Sequence, residues 1–544
     1  MLRLIPVGGI GEIGMNMLVF DSGRSSIAID SGVLFPPFQH LGVETIIPDY
    51  DQVFKTFPDM KAIFVTHGHE DHIGGLPYLL DHFDPKIFAT PYASEVIKFK
   101  CRNILGNKYE ADITKVKYGQ KITQDDFSIE YIQVDHSIPD SSALFMQVLD
   151  VNILYVADFR LVGDNREAFI SKINEIKRNN RIDILLSDST NAHEDDEPVS
   201  EQDVLTNLDS YFSKAKKKII VTLFSSNIVR INQIISLCKR HNKSLFISGT
   251  NLKAHMAMAK GLGYIEPDDG CIKNDREINN TSEQDMVFLC TGSQAERHSS
   301  IVKLSHSIHP QIKIEEGDMV IFSSSQIPGN EKVIMSAINR LAEQGAEIVY
   351  SDVHCSGHAS ETELRELIKI VKPESFIPIH GEFLQLRRHL EIAKEEGVKK
   401  DKCFLLKDGD ELSYNNGNIS VKNMYEFKRY YVDSTTRDLI DKDVLKERAI
   451  AAEKGILMVS VAVDRKNKLV SKPKVEAFGV SKSQRVRSIL DSISSKIYSA
   501  LKKDKISVNK EVDSIKNLVK REFRRVYDEK PEVIVMLVKV DQKK

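Results

Sequence analysis

Apolar positions along this 544-residue chain come mainly in short runs that stop at a turn or at an ionisable side chain. Near the start, Arg3–Val7, Asn16–Phe20 and Ser26–Asp30 are such runs, separated by GGIGEIG and DSGRS, and they predict consecutive short strands. Ala62–Val65 leads through Thr66 into His67, His69, Asp71 and His72. Three further runs end the same way: Ile129–Asp135 stops at His136, Ile153–Ala157 at Asp158 and Asp183–Ser187 at Asp188.

From about residue 206 strands and helices alternate. Strands are predicted at Lys218–Leu223, Ser244–Ser248, Met286–Thr291, Met319–Ser323 and Glu347–Ser351, with helices at Asn227–His241, Leu252–Gly261 and Glu331–Gln344. A series of this kind predicts a parallel sheet covered by helices. Ser360 and Glu363 then stand at capping-box spacing before a helix to about Val371, and the strand Ser375–Ile379 stops at His380. That last strand repeats the pattern of the first 200 residues, so it is expected to rejoin the first sheet and to leave the strand–helix series as an insertion. The expected organisation is therefore a first domain over 1–205, an inserted domain over 206–352, a return to the first domain over 353–424, a charged linker over 425–450 and a small α/β domain over 451–544.

Composition bounds the function. With 41% hydrophobic and 28% charged residues the chain is an ordinary globular sequence, too long for one core. A formal charge of −3 gives no global drive toward nucleic acid or anionic membrane, so a polyanionic substrate must be met by local positive charge. Cys101, Cys238, Cys271, Cys290, Cys355 and Cys403 show no C-x-x-C spacing and suit reduced thiols. The opening strand leaves no room for a signal peptide, and no uncharged run is long enough to span a bilayer. A cytoplasmic protein without a membrane partner is expected.

The spacing H-x-H-x-D-H carries the chemistry. On a turn leaving a strand, His67 and His69 face one side while Asp71 and His72 face another, which supplies half of the ligands for two neighbouring ions. Strands that deliver His136, Asp158, Asp188 and His380 to their carboxyl ends bring those side chains to one rim, where ligands converge in layered α/β folds. Taken singly, each such Asp reads equally well as a cap or turn residue. GGIGEIG looks like a phosphate-cradling loop, but a strand follows it where a dinucleotide site needs a helix. The loops SSN (225–227), TGSQ (291–294) and SSSQIPGN (323–330) suit anion binding through backbone N–H groups, and helix capping explains them as well. Arg485, Arg487, Lys502, Lys503, Lys505, Lys520, Arg521, Arg524 and Arg525 make the last helices basic, as a solvated face or an RNA contact.

HGHEDH with His136, Asp158 and His380 resembles the metal-binding motifs of the metallo-β-lactamase superfamily. SDST with Asp188, SGHAS with His358 and PIHGE with His380 are similar to the added motifs of its β-CASP nuclease branch, and SSN, TGSQ, SSSQIPGNE and HCSGHAS resemble the bacterial ribonuclease J family over essentially the whole chain. The resemblance implies an α/β fold in which an αββα metallo-β-lactamase sandwich carries the β-CASP insertion and the small C-terminal domain. It implies two zinc ions, with Mn2+ or Mg2+ able to serve in vitro. His67, His69 and His136 would hold one, Asp71, His72 and His380 the other, and Asp158 would bridge both. It further implies 5′-to-3′ exonucleolytic and endonucleolytic hydrolysis of RNA in maturation and decay, by a hydroxide held between the metals. Asp71 would help orient the nucleophile, and His358, oriented by Asp188, would protonate the leaving oxygen. Ser225, Ser226 and Asn227 would clamp a 5′ monophosphate, and His354, Cys355, Ser356, Gly357, His358, Ala359 and Ser360 would line the substrate path. A structural calcium near Glu44 and Asp433, and a homodimer or homotetramer, belong to the same expectation. The chain departs from the family at Ala295–His298, where Gly-Glu-Pro is expected after Gln294. Alternative readings are a DNA-directed β-CASP nuclease, a hydrolase of small esters on the same scaffold and a catalytically silent RNA-binding subunit.

Overall fold

A computed structural model describes residues 1–36, 40–194, 199–296, 299–326, 330–465, 468–502, 508–527 and 531–540. The fold is an α/β architecture built on two facing sheets. One has eight strands in the order Asn418–Asn423, Asp410–Asn415, Leu2–Gly8, Met17–Asp21, Ser26–Ile29, Met60–Phe64, Lys86–Ala89 and Ile113–Lys115. The other has six, in the order Ser375–Ile379, Ile184–Asp188, Val151–Val156, Ser142–Val148, Phe127–Gln133 and Lys121–Gln124.

Side-chain alternation explains the layers. Along the second sheet Ile153, Tyr155, Ile184, Leu186 and Ile377 point at the first sheet, where they pack with Leu4, Phe20, Ile29 and Phe64. Their neighbours Leu154, Val156, Leu185 and Phe376 point the other way and bury Phe169 and Ile173 of the helix Arg166–Asn179, with Leu364 and Leu367 of Glu361–Val371. Both faces of these strands are therefore covered, which is why they read as unbroken apolar runs. Strand Ser375–Ile379 pairs in parallel with Ile184–Asp188, which pairs in parallel with Val151–Val156. The register sets Val156 opposite Ser187 and Asp188 opposite Ile379, so the residues just beyond these strands emerge side by side.

Between these parts of the chain lies a five-stranded parallel sheet in the order Ser244–Ser248, Met286–Cys290, Ile219–Thr222, Met319–Phe322 and Glu347–Val349. Its own apolar core includes Phe246, Phe288, Val320 and Leu341. Near the end of the chain Lys474–Phe478, Ile456–Val463 and Glu532–Lys539 form a three-stranded sheet whose inner face packs on Ile493, Ile497, Ile515 and Phe523 of two helices.

The stretch 425–450, expected to be a linker without elements, is structured. It carries the strands Arg429–Asp433 and Leu439–Ile440 and the start of the helix Lys442–Lys454, capped by the Asp441 carboxylate. None of that helix's residues is buried, so it has no apolar stripe for a periodicity reading to detect. A second difference lies at the histidine motif. A short helix, Glu70–Ile73, forms inside HGHEDH itself, ahead of the helix expected at GGLPYLL.

Phe64 ends the strand that leads to the histidines, is fully buried and stacks on Phe88 with ring centroids 4.7 Å apart. Phe64→Ala is expected to lower stability by about 3–5 kcal/mol. A urea midpoint equal to that of the parent chain would contradict this packing.

Candidate metal centre

Each of the seven expected ligands emerges from a strand end or the turn beyond it. His67 follows Met60–Phe64, Asp158 follows Val151–Val156, and His380 follows Ser375–Ile379 directly in the left-handed region, φ +51°. The short helix Glu70–Ile73 carries Asp71 and His72, and the His72 ring packs beside that of His67 with centroids 4.1 Å apart. Two clusters result. In one, His69 Nδ1 lies 3.1 Å from His67 Nε2 and 3.0 Å from His136 Nε2, and both of those partners lie 3.5 Å from Asp158 Oδ2. In the other, His72 Nε2 lies 3.3 Å and His380 Nδ1 3.2 Å from Asp158 Oδ1, with His380 Nε2 3.2 Å from Asp71 Oδ2.

Asp158 thus faces both clusters, one oxygen toward each. Its Oδ1 is buried and makes no well-aligned hydrogen bond, with only the His72 and His380 imidazoles beside it, a costly state for a carboxylate oxygen unless positive charge, as protons or as a cation, lies there. The atoms of each cluster fall within 4.8 Å of one another, and a set of imidazole nitrogens and carboxylate oxygens suits zinc or a similar divalent ion. The residues fit the group.

The electrostatics of the clusters differ. Burial pushes His136 down to about 3 against the pull of Asp158, and burial together with neighbouring imidazoles lowers His67 and His69. These three rings stay neutral with lone pairs available. Burial opposes charge on His72 and His380 too, but carboxylates outweigh it: Asp158, Asp71 and Asp30 raise His72, and Asp158, Asp188 and Asp71 lift His380 to about 10. In that cluster protons occupy the place a cation would take, so binding a metal there releases them.

Residues around the ligands fix their rings. His72 Nδ1 donates to Asp30 Oδ2 at 2.8 Å, and Asp30 also accepts from the Thr66 N–H and hydroxyl at 2.8 Å each. Such a carboxylate behind a histidine selects the tautomer that leaves Nε2 free for metal. Asn16 Nδ2 lies 3.1 Å from His72 Nε2 and donates to the Asp71 carbonyl at 3.0 Å, which joins the Gly-rich turn to the centre. Thr190 sits between Asp188, at 2.7 Å, and His380 Nδ1, at 3.1 Å. Sequence reasoning missed Asp30, Asn16 and Thr190 as site residues, although Asp30 closes an apolar run just as Asp158 does.

His358 Nδ1 donates to Asp188 Oδ2 at 2.9 Å, while its Nε2 stands 3.9 Å from Asp158 Oδ2. Burial disfavours its charge, but Asp188 and Asp158 overcome that and raise its proton affinity. Gly357 holds the adjacent turn: its carbonyl accepts from His136 Nδ1, and a Cβ on it would stand 2.7 Å from the His136 ring. Ser356 Oγ accepts from Asn191 and from the His358 N–H. Cys355 and Ala359 are buried, and Ser360 forms the capping box with Glu363. His354 Nδ1 is buried without a partner. Asn227 caps the helix Ile228–Arg240, with Ser225 and Ser226 half-buried ahead of it. Near the expected calcium position, Asp433 is bound by the Arg448 guanidinium and by the N–H groups of Thr435 and Thr436, which hold its carboxyl well below the usual range. A calcium ion would compete there with Arg448. Of the departing stretch, Arg297 and His298 lie outside the described residues, as do 327–329 of the SSSQIPGN loop and Lys503 and Lys505 of the basic region.

Comparisons with known proteins give the family. Four family profiles match: the metallo-beta-lactamase superfamily over 57–98, the ribonuclease J beta-CASP domain over 216–341, the Zn-dependent metallo-hydrolase RNA specificity domain over 346–404 and the ribonuclease J C-terminal domain over 443–540. Ribonuclease J2 of Bacillus subtilis is 30% identical over 480 residues, 87% of this chain and 86% of that protein. Ribonuclease J of Synechocystis is 32% identical over 487 residues, 88% of this chain and 76% of that one. A solved structure of a protein of unknown function from Enterococcus faecalis shares the fold at a TM-score of 0.55 and 18% identity, over 75% of this chain and 99% of that one. The chain belongs to the ribonuclease J family, and is a metal-dependent ribonuclease of the metallo-β-lactamase superfamily's β-CASP branch.

Proposed function

We propose that this ribonuclease hydrolyses phosphodiesters at a pair of zinc ions, both from 5′-monophosphate ends and internally. The observation that carries this reading is Asp158, one buried carboxylate that faces two separate ligand clusters. His67, His69 and His136 would hold one ion, Asp71, His72 and His380 the other, and Asp158 both. When bound, such a pair acidifies a water toward neutrality and offsets charge on the non-bridging phosphate oxygens.

The chain's own residues supply orientation and a proton. Asp71 and Asp158 would orient the reacting water through their carboxylates. His358 keeps its proton because Asp188 and Asp158 raise its affinity, and that proton goes to the leaving 3′ oxygen. Asp188 holds the ring through Nδ1, so Nε2 is the donating atom. The backbone N–H groups of residues 354–357 favour a phosphate approaching His358, and Ser225, Ser226 and Asn227, just beyond the strand Ile219–Thr222, would take a terminal phosphate. Six free thiols and the lack, among the described residues, of a helix long and apolar enough to cross a membrane favour work in the cytoplasm.

Two outcomes follow. Asp30→Ala removes the carboxylate behind His72, and zinc retention after dialysis should fall about 10–100-fold with the fold intact. Retention equal to that of the parent chain would contradict the assignment of His72 as a ligand. With RNAs of one sequence carrying 5′ monophosphate or 5′ triphosphate, the monophosphate form should be consumed faster from its end. Equal rates would remove the terminal-phosphate pocket.

A further inference from the structure

Among the described residues Arg230 heads the largest completely buried side chains, and it sits in the first turn of the helix that Asn227 caps. Its Nη1 donates to Ser323 Oγ at 2.6 Å and to the Val353 carbonyl. Its Nη2 donates to Glu201 Oε2 at 2.7 Å and lies 3.8 Å from Cys355 Sγ. Ser323 Oγ in turn donates to Val353 O, and the Cys355 thiol donates to Glu201 Oε1 at 3.0 Å. One guanidinium thus ties the end of the strand Met319–Phe322 and the start of the helix Glu201–Lys214 to residues 353–355.

The same loop is gripped at its other end from the metal-binding domain. Arg160 stands two residues after Asp158 in the chain, and its backbone N–H donates to Asp135 O, next to His136. Its side chain donates to Ser356 O and to both oxygens of Glu363, at 3.1 Å. Asn191 adds bonds to Ser356 Oγ at 2.8 Å and His358 O at 3.2 Å. The segment that carries His358 is therefore suspended between two buried arginines, one from each domain.

We infer that Arg230 is a positioning residue for the reaction: it sets the segment 353–358 so that His358 can deliver its proton to the leaving oxygen, and it couples that segment to the helix preceded by Ser225–Asn227. The inference rests on the reading of His358 as proton donor. A buried guanidinium is a poor device for stability alone, since well-packed apolar replacements of buried ion pairs are often neutral or stabilising. Its value lies in direction, because a planar fork fixes several acceptors in one plane. The bonds it makes are to Val353 O and, through Glu201, to Cys355, upstream of Gly357, whose carbonyl meets His136. Arg230 thus sets the entry to the turn that ends in His358, whose exit is held by Asn191, Asp188 and the His136–Gly357 bond.

The test uses the zinc-loaded full chain and two substrates. A 5′-monophosphorylated RNA leaves an alkoxide that needs a proton, whereas bis(p-nitrophenyl) phosphate releases a phenolate that does not. Arg230→Met should lower kcat on RNA by about 10–100-fold, part of the ~10²–10⁴ that proton transfer contributes. It should leave KM for RNA and kcat for the activated ester within about threefold of the parent, with zinc content unchanged. Arg230→Lys, which keeps the charge without the fork, should restore part of the loss and carries the test should the methionine variant fold poorly. His358→Ala should show the same substrate dependence, and the double variant should lose no more than His358→Ala alone. Equal losses on both substrates for Arg230→Met, beside a selective loss for His358→Ala, would overturn the role of Arg230. Equal losses on both substrates for His358→Ala itself would overturn the proton-donor reading and this inference with it.

Discussion

One buried carboxylate governs the molecule. Asp158 lies out of water with one oxygen that makes no well-aligned hydrogen bond. Burial by itself would push its proton affinity up, but His380, His72 and His358 surround it and hold it ionised. An isolated buried charge costs several kcal/mol, so the residues around Asp158 must supply positive charge as protons or as metal. The imidazoles of His72 and His380 do so by protonation when no cation is present, and the neutral rings of His67, His69 and His136 remain open to one.

The sheets exist, from this standpoint, to bring distant residues to that carboxylate. Parallel pairing of Val151–Val156, Ile184–Asp188 and Ser375–Ile379 puts Asp158, Asp188 and His380 at one edge although more than 200 positions separate the first from the last. The facing sheet contributes Asp30 and the histidine turn from the adjacent parallel strands Ser26–Ile29 and Met60–Phe64. The left-handed backbone at Asp30, φ +59°, and His380, φ +51°, is strain held by the surrounding hydrogen bonds, a pattern that accompanies functional sites. Gly357 and its neighbours carry His358 to within 3.9 Å of the same carboxylate.

Much of this was legible in the chain because buried strands leave a strong mark. Runs such as Ile153–Ala157 and Ser375–Ile379 are apolar on both faces, and each stops where the backbone reaches the site, so the strand ends named Asp158, Asp188 and His380 directly. The alternating region showed its parallel sheet for the same reason. What stayed hidden has physical causes. Asp30 closes its run like the others, yet a carboxylate that hydrogen-bonds a histidine leaves no spacing signal. Asn16 and Thr190 act through contacts that only the folded chain creates. The helix Lys442–Lys454 buries nothing, and periodicity cannot report a helix without an apolar face. Arg230 was invisible because a lone basic residue in a helix reads as solvent-facing until its partners at Glu201, Ser323 and Val353 are known.

The most direct measurement is diffraction from crystals grown with zinc, recorded on both sides of the zinc absorption edge. Two anomalous peaks should flank Asp158, one among His67, His69 and His136 and the other among Asp71, His72 and His380. A single peak, or two peaks with the Asp158 carboxylate turned away from either, would contradict the account.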